Sequence, residues 1–329
     1  MNPTLAPIPA NSAANPNGIP EFIQGAEGVF FDMPDPLYRK APGVSNSMLK
    51  YITPEGGEPG SPAHFLQALH DPQADTEALL FGRMVHARIL TPDEPLPGIV
   101  EIPETYPAPA DCSAVKQKKA LPGDPLPWHG AAKYCKAWLA EQLEKGLRPM
   151  TADAIKATNG VVKSVAEEPT CRVIFSDGKA EVSCFKRFFR GDGAPVLRKC
   201  RIDWVPTKDP ALCDIKTCQD ARACDFESVV FRRRYFVQAA YYLDLWNELN
   251  PDDQKTHFVF IAVEKFPPFA VQVFDLSDKA IEDGRWEYQH NLATLIECLK
   301  QGAWPSYPGG VHALKMRVPF GKGKTIVPE

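Results

Sequence analysis

The sequence lacks any apolar run near the ~18 residues that a membrane-spanning helix requires, so no membrane span is predicted. Its first twenty residues carry neither a basic start nor a continuous apolar stretch, which argues against a secretory signal and for a cytoplasmic protein. There is no excess of positive charge: 37 Lys and Arg stand against 41 Asp and Glu, a net charge of −4. That disfavours a globally basic nucleic-acid coat protein. It leaves open an enzyme whose positive charge is local. No Cys-x-x-Cys pair occurs among the nine cysteines. The group Cys200, Cys213, Cys218 and Cys224 fits neither zinc-ribbon nor ferredoxin spacing. Reduced thiols are therefore expected, and an iron–sulfur centre is not.

What the chain does have is a globular composition, with 44% hydrophobic and 24% charged residues in 329. It also has 33 prolines, unevenly placed. Residues 1–35, rich in Pro, Asn, Ala and Gly, lack periodicity and read as a flexible arm. Short helices are predicted from Ser45 to Ile52 and from Ser61-Pro62, where proline sits in the first turn. Thr76 to Leu90 repeats apolar residues at helical spacing, with Leu79, Leu80, Met84 and Ile89 inward and Thr76 as cap. The proline-rich stretch 91–128 reads as a surface excursion. Two further helices follow, Ala131 to Lys145 with Trp138, Leu139 and Leu143 inward, and Thr151 to Glu167.

The texture then changes to alternation in Ala180 to Phe188, Leu197 to Val205 and Ala211 to Thr217, with Gly-Asp-Gly at 191–193 as a turn. This is a β-meander. One long helix from Asp225 to Glu248, strands at Thr256 to Val263 and Ala270 to Asp275, and a helix from Ser277 to Lys300 ending on Gly302 complete the order. Helices, three strands, a helix, two strands and a helix make an α/β or α+β catalytic unit spanning 36–310, followed by a basic tail at 311–329.

The chemistry gathers on neighbouring strands. Alternation in Cys213-Asp214-Ile215-Lys216-Thr217 turns Asp214 and Lys216 to one face. In Cys200 to Val205, Arg201 and Asp203 share a face opposite Ile202 and Trp204. If Ile202, Trp204 and Ile215 are all buried together, Asp203, Asp214 and Lys216 meet on the other side, with Glu181 and Ser183 one strand earlier. Two carboxylates ~4 Å apart repel by about 4 kcal/mol at an effective dielectric of 20. A divalent cation converts that repulsion into affinity, and hard oxygen donors select Mg²⁺ or Mn²⁺. A lysine beside the ion can orient or help deprotonate water, or neutralise a phosphate oxygen, which is the equipment of metal-assisted phosphodiester hydrolysis. Asp-x-Lys alone also describes an ordinary surface hairpin with an Asp–Lys pair. On the following helix Tyr235, Gln238 and Tyr242 share a face, either as substrate contacts or, for the tyrosines, as core. Arg232, Arg233 and Arg234 fan around that helix, as a solvated face or as phosphate contacts. His86, on an otherwise apolar helix, is either a packed histidine or a metal ligand.

Nine segments resemble, in order and spacing, the exodeoxyribonuclease VIII (RecE-like) nucleases of the PD-(D/E)xK superfamily. They are SNSMLK (45–50), SPAHF (61–65), ALLFGRMVHARIL (78–90), AEVSCF (180–185), CRIDWV (200–205), CDIKTCQDA (213–221), YFVQAAYYLDLW (235–246), FIAVEKFPPFAV (260–271) and WPSY (304–307). The resemblance implies an α/β core with a central mixed sheet flanked by helices and a helical N-terminal section. It implies that His86 lies beside the metal, that Asp203 and Asp214 bind it with the Ile215 carbonyl, that Lys216 is catalytic and that Glu181 supports the site. Gln238 and Tyr242, with Tyr235, would hold substrate, and Arg201, Arg232, Arg233 and Arg234 would contact DNA. Ile202 stands where the superfamily name puts proline. The implied activity is Mg²⁺-dependent, ATP-independent 5′ to 3′ degradation of one strand of duplex DNA from an end, with Mn²⁺ able to substitute. The implied partners are a single-strand annealing protein and further copies in a ring, in phage-type recombination. A structure-specific or restriction-like endonuclease, or a non-catalytic DNA-end scaffold, would use the same fold.

Overall fold

The structure is a computed structural model and describes residues 25–52, 60–70, 76–92, 98–191, 193–307, 309 and 311. The N-terminal part contains β1 (Gly28–Phe30), α1 (Asp35–Lys40), α2 (Asn46–Leu49), α3 (Pro62–His70) and α4 (Glu77–Leu90). Next come β2 (Ile99–Glu101), β3 (Thr105–Pro107), α5 (Ser113–Lys116), β4 (Pro125–Pro127), α6 (Lys133–Glu144), β5 (Arg148–Met150), α7 (Ala152–Glu167) and α8 (Pro169–Ile174). The remainder is β6 (Gly178–Phe188), β7 (Val196–Pro206), β8 (Ala211–Cys218), α9 (Ala223–Arg233), α10 (Tyr235–Leu249), β9 (His257–Glu264), β10 (Val271–Asp275) and α11 (Asp278–Gln301). Among the described residues no helix is long and apolar enough to cross a membrane.

A mixed six-stranded sheet, ordered β1-β6-β7-β8-β9-β10, organises the chain. The expected meander is there: β6, β7 and β8 run antiparallel, whereas β8 and β9 are parallel and β9 and β10 antiparallel. Phe258, Phe260, Leu212 and Ile202 point into a core built with Leu49, Phe65, Phe226, Tyr241 and Tyr288 from α2, α3, α9, α10 and α11. Ile215, Ile261 and Val263 point the other way, against Met84 and Val85 of α4, Val161 and Val165 of α7 and Cys171 of α8. The α/β class with helices on both faces is thus the observed architecture. Phe226 is 1% exposed, stacks on Phe274 at 5.0 Å and meets Phe260 edge-on. Phe226→Ala is expected to destabilise the fold by about 3–5 kcal/mol, read as a lowered midpoint in urea unfolding.

The capping residues behave as their chemistry predicts. Thr76 Oγ1 accepts the Leu79 N–H, Ser277 Oγ accepts the Ala280 N–H, and α11 stops on Gly302 at φ 65. The buried stripe of α4 is instead Phe81, Met84, Val85 and Leu90, and Leu79 is 54% exposed, as is Leu143 of α6 at 49%.

Three expectations are corrected. Residues 28–30 are not an arm: they pair with β6, Gly28 opposite Phe185 and Phe30 opposite Ser183, because Phe30 finds the edge of the Phe185 ring at 5.6 Å. Residues 1–24 lie outside the described residues. The excursion at 91–128 has its own order from residue 98 onward. β2 pairs with β5, β3 and β4 form a hairpin, and Tyr106, Trp128, Tyr134 and Trp138 form an aromatic cluster. The long helix over 225–248 is two helices, broken at Arg234 with φ 58 and ψ 36. Neither glycine nor proline marks that break, so periodicity runs through it. Its cause is tertiary: Arg234 is ion-paired with Glu287 of α11. Gly284 of α11 lies so close that a Cβ there would sit 2.3 Å from the Phe236 carbonyl.

Candidate active site

The site forms where β7 and β8 part. Their register places Trp204 opposite Cys213. Beyond that pair the Asp203 carboxylate, not a backbone carbonyl, accepts the Ile215 N–H at 2.8 Å. The facing of β7 also switches here. Ile202 lies in the core beneath α10, whereas Trp204 and Ile215 lie in the core beneath α4. The expectation that these three share a face is therefore corrected. The acids come together because the strands diverge, not because alternation is regular. On β6 the alternation is likewise interrupted, since Glu181 has φ 52 while register pairs Ala180 with Trp204 and Val182 with Ile202.

Both helical layers reach into this opening. From one side α4, which crosses β8 where Gly82 meets Thr217, supplies His86. From the other side α10 supplies Gln238, whose Nε2 donates to Asp214 Oδ1 at 2.5 Å. His86 Nε2 lies 2.9 Å from the Ile215 carbonyl, so that nitrogen carries the hydrogen and donates it. The Nδ1 atom then faces Asp203 Oδ2 at 3.4 Å and is the one available to a metal. One lone pair of the Ile215 carbonyl, expected to be a metal oxygen, is thus engaged by His86.

Ligand atoms of His86, Glu181 and Asp203 lie within 4.8 Å of one another. Asp214 stands at the edge of this group, paired with Lys216. The electrostatics show the crowding. Burial and then the Asp203 charge push the Asp214 carboxyl up to about 6, against the pull of Lys216. Burial and Asp203 likewise raise Glu181, with Arg201 opposing. Burial works to raise Asp203, but His86, Lys216 and the Ile215 N–H hold it below its ordinary value. Burial would lower His86, yet Asp203 outweighs it and lifts the imidazole to about 9. For Lys216, burial is outweighed by Asp214 and the group is raised, so it stands as an ammonium. The Asp203 carboxylate, charged and drawn to the His86 imidazole, and the Glu181 carboxylate, raised by burial and by Asp203, make with that imidazole a donor set that fits a divalent ion.

Other expected site residues are placed differently. Tyr235 lies under Lys216, whose Nζ is 4.6 Å from its ring centre. Tyr242 packs against Phe258 at the sheet, and burial raises its hydroxyl well above the ordinary value. Arg232 and Arg233 are exposed. Arg201 and Arg234, expected to contact DNA, are each half-buried and ion-paired, Arg201 with Glu181 and Arg234 with Glu287. The basic tail beyond 311 lies outside the described residues. All nine cysteines are free thiols. Sequence reading missed Asp35 and Tyr38, which pack behind Arg201. The signal for them was the apolar run from Val29 to Phe31 ahead of α1, hidden by the prolines around it.

A mixed sheet with helices on both faces and a His, Asp, Asp, Lys constellation at a strand divergence defines a PD-(D/E)xK nuclease-type domain. The chain belongs to the family described as PDDEXK-like domain of unknown function, whose model matches residues 45–317. No curated protein matches the sequence. Among solved structures, the chain is similar to one from Eubacterium rectale described as a "Putative exonuclease", at 12% identity and a TM-score of 0.49, covering 81% of this chain and 90% of that one. It is also similar to SSO0001, at 13% identity and a TM-score of 0.27, covering 48% and 69% respectively.

Proposed function

We propose that the chain is a Mg²⁺-dependent, ATP-independent deoxyribonuclease that degrades one strand of duplex DNA from an end, 5′ to 3′. The single-stranded tail would serve phage-type homologous recombination. The observation that carries this reading is the convergence of His86, Glu181, Asp203, Asp214 and Lys216 where β7 and β8 diverge. His86 Nδ1, Glu181 and Asp203 would hold the ion, with Asp214 beside them. The mainly oxygen set suits Mg²⁺, and the imidazole allows Mn²⁺ to substitute. When bound, the ion supplies Lewis-acid polarisation of the phosphate and a water of lowered pKa.

The rest falls to the protein's own groups. Lys216, kept charged by Asp214, offers its ammonium to the negative charge that develops on the phosphoryl oxygens. Its task is positioning and neutralisation, not proton abstraction. Gln238 holds Asp214 Oδ1 and so fixes the carboxylate that orients Lys216. The Ile215 carbonyl fixes the His86 tautomer. Arg232 and Arg233, exposed on α9, suit backbone phosphates. Duplex ends are the substrate, a single-strand annealing protein is the partner that receives the tail, and further copies of the chain close a ring.

The test is digestion of linear duplexes labelled separately at the 5′ and 3′ ends, beside a covalently closed circle, with Mg²⁺ and with chelator. Early loss of the 5′ label with the circle intact is the expected result. Cutting of the circle would make the enzyme an endonuclease, and no release in Mg²⁺ or Mn²⁺ would leave a DNA-binding scaffold.

A further inference from the structure

We infer that Arg201 of β7, packed against the N-terminal helix α1, is a positioning residue that fixes the Glu181 carboxylate for the divalent-ion site. The inference rests on reading His86, Glu181 and Asp203 as that site. Glu181 occupies a left-handed backbone conformation, φ 52, at a point where the β6–β7 ladder is interrupted. Its backbone neighbours therefore do not set its side chain by regular pleating. What meets the carboxylate is Arg201 Nε, in an ion pair. Arg201 is itself 15% exposed, so the pair is shielded from competing solvent. An arginine suits this place because its weakly hydrated, planar guanidinium keeps its charge when half-buried, where a lysine is a strongly hydrated point charge that loses its charge more readily.

The arginine is in turn located by residues ahead of the family match, which starts at 45. Its guanidinium lies 5.5 Å from the Tyr38 ring centre, with Nη1 3.7 Å from Asp35 Oδ1. Tyr38 is pinned edge-on by Phe185 of β6 at 6.1 Å. Lys199 of β7 donates to the Ala41 carbonyl at 2.7 Å, tying the end of α1 to the strand that carries Arg201 and Asp203. The chain of contacts runs from α1 through Arg201 to Glu181 and ends at the ion-binding cluster. Carboxylate ligands held by such a partner lose about 10–100-fold in metal affinity when it is removed.

The test measures Mn²⁺ binding by titration calorimetry on the full chain, with thermal unfolding as a check on the fold. Arg201→Gln is expected to weaken Mn²⁺ binding by about 10–100-fold, Arg201→Lys to recover part of the loss, and Asp35→Asn, an exposed change, to weaken binding by ~2-fold. In a Glu181→Gln background, Arg201→Gln should have no further effect, which a general structural role for Arg201 would not reproduce. Equal Mn²⁺ binding by wild type and Arg201→Gln, or losses that add in full across the pair, would overturn the inference alone. Should Arg201→Gln fail to fold, unchanged binding in both Arg201→Lys and Asp35→Asn would do the same. Absence of Mn²⁺ binding by the wild-type chain would remove the metal-site reading itself.

Discussion

Asp203→Asn is expected to lower Mg²⁺-dependent DNA hydrolysis by at least about a thousandfold, of the order that follows when a transition-state electrostatic contact or metal ligand is lost. Asp203 does three things at once. It is a member of the ion-binding cluster, its Oδ2 faces His86 Nδ1, and the same atom closes the gap between β7 and β8 by taking the Ile215 N–H. Asparagine is nearly isosteric and its carbonyl can still accept that N–H, so the strands should stay joined. What disappears is the negative charge. The variant should therefore unfold in one cooperative transition while releasing almost no acid-soluble nucleotide. Retention of more than a tenth of wild-type hydrolysis would show that Asp203 is not part of the reacting centre. Lys216→Met should behave similarly, through loss of the ammonium beside Asp214.

Apparent Mn²⁺ affinity should climb by about tenfold per pH unit well below pH ~9, roughly 50-fold between pH 7 and 9. Metal and proton compete for one atom, His86 Nδ1, because Nε2–H is committed to the Ile215 carbonyl. Without metal, the Asp203 charge raises His86 from 6.5 to about 9 despite burial, so at neutral pH the ion must displace a proton. His86→Asn should flatten the dependence across this interval, and calorimetry in buffers of different ionisation heat should show proton release. A pH-independent affinity between 7 and 9 in the wild type would refute the competition. The sign for stability follows. The metal-free fold holds the His86 proton more tightly than the unfolded chain, so this contribution is complete below pH ~6.5 and is lost as pH rises through ~9. Asp214, raised from 3.8 to about 6, has the same sign over its own window, its protonated form being favoured by the fold. The metal-free protein should melt at progressively lower temperature from pH 5 to 9, and Mn²⁺ should reverse the trend at the alkaline end.

Much of this architecture was readable in the residues. Three alternating strands, the helix caps at Thr76 and Ser277 and the stop at Gly302 follow from local chemistry, and local chemistry is what a sequence displays. Asp203, Asp214, Lys216 and Glu181 were recognisable from their places on adjacent strands. The manner of their meeting was not, because the divergence of β7 and β8 and the turned backbone at Glu181 are consequences of packing on both faces. The break at Arg234 was hidden for a related reason: the residues that impose it, Gly284 and Glu287, lie about fifty positions downstream. The pairing of Arg201 with Glu181 was hidden because charge in a sequence does not reveal its partner.

The short strand at Gly28–Phe30 has a protective consequence. It covers residues 183–185 of β6 on the flank of the central sheet, occupying amides and carbonyls that this stretch would otherwise present to solvent. A version of the protein trimmed to residue 45 would bare that flank together with the apolar faces of Phe185 and Leu197, an open template for strands of other molecules and a route to self-association.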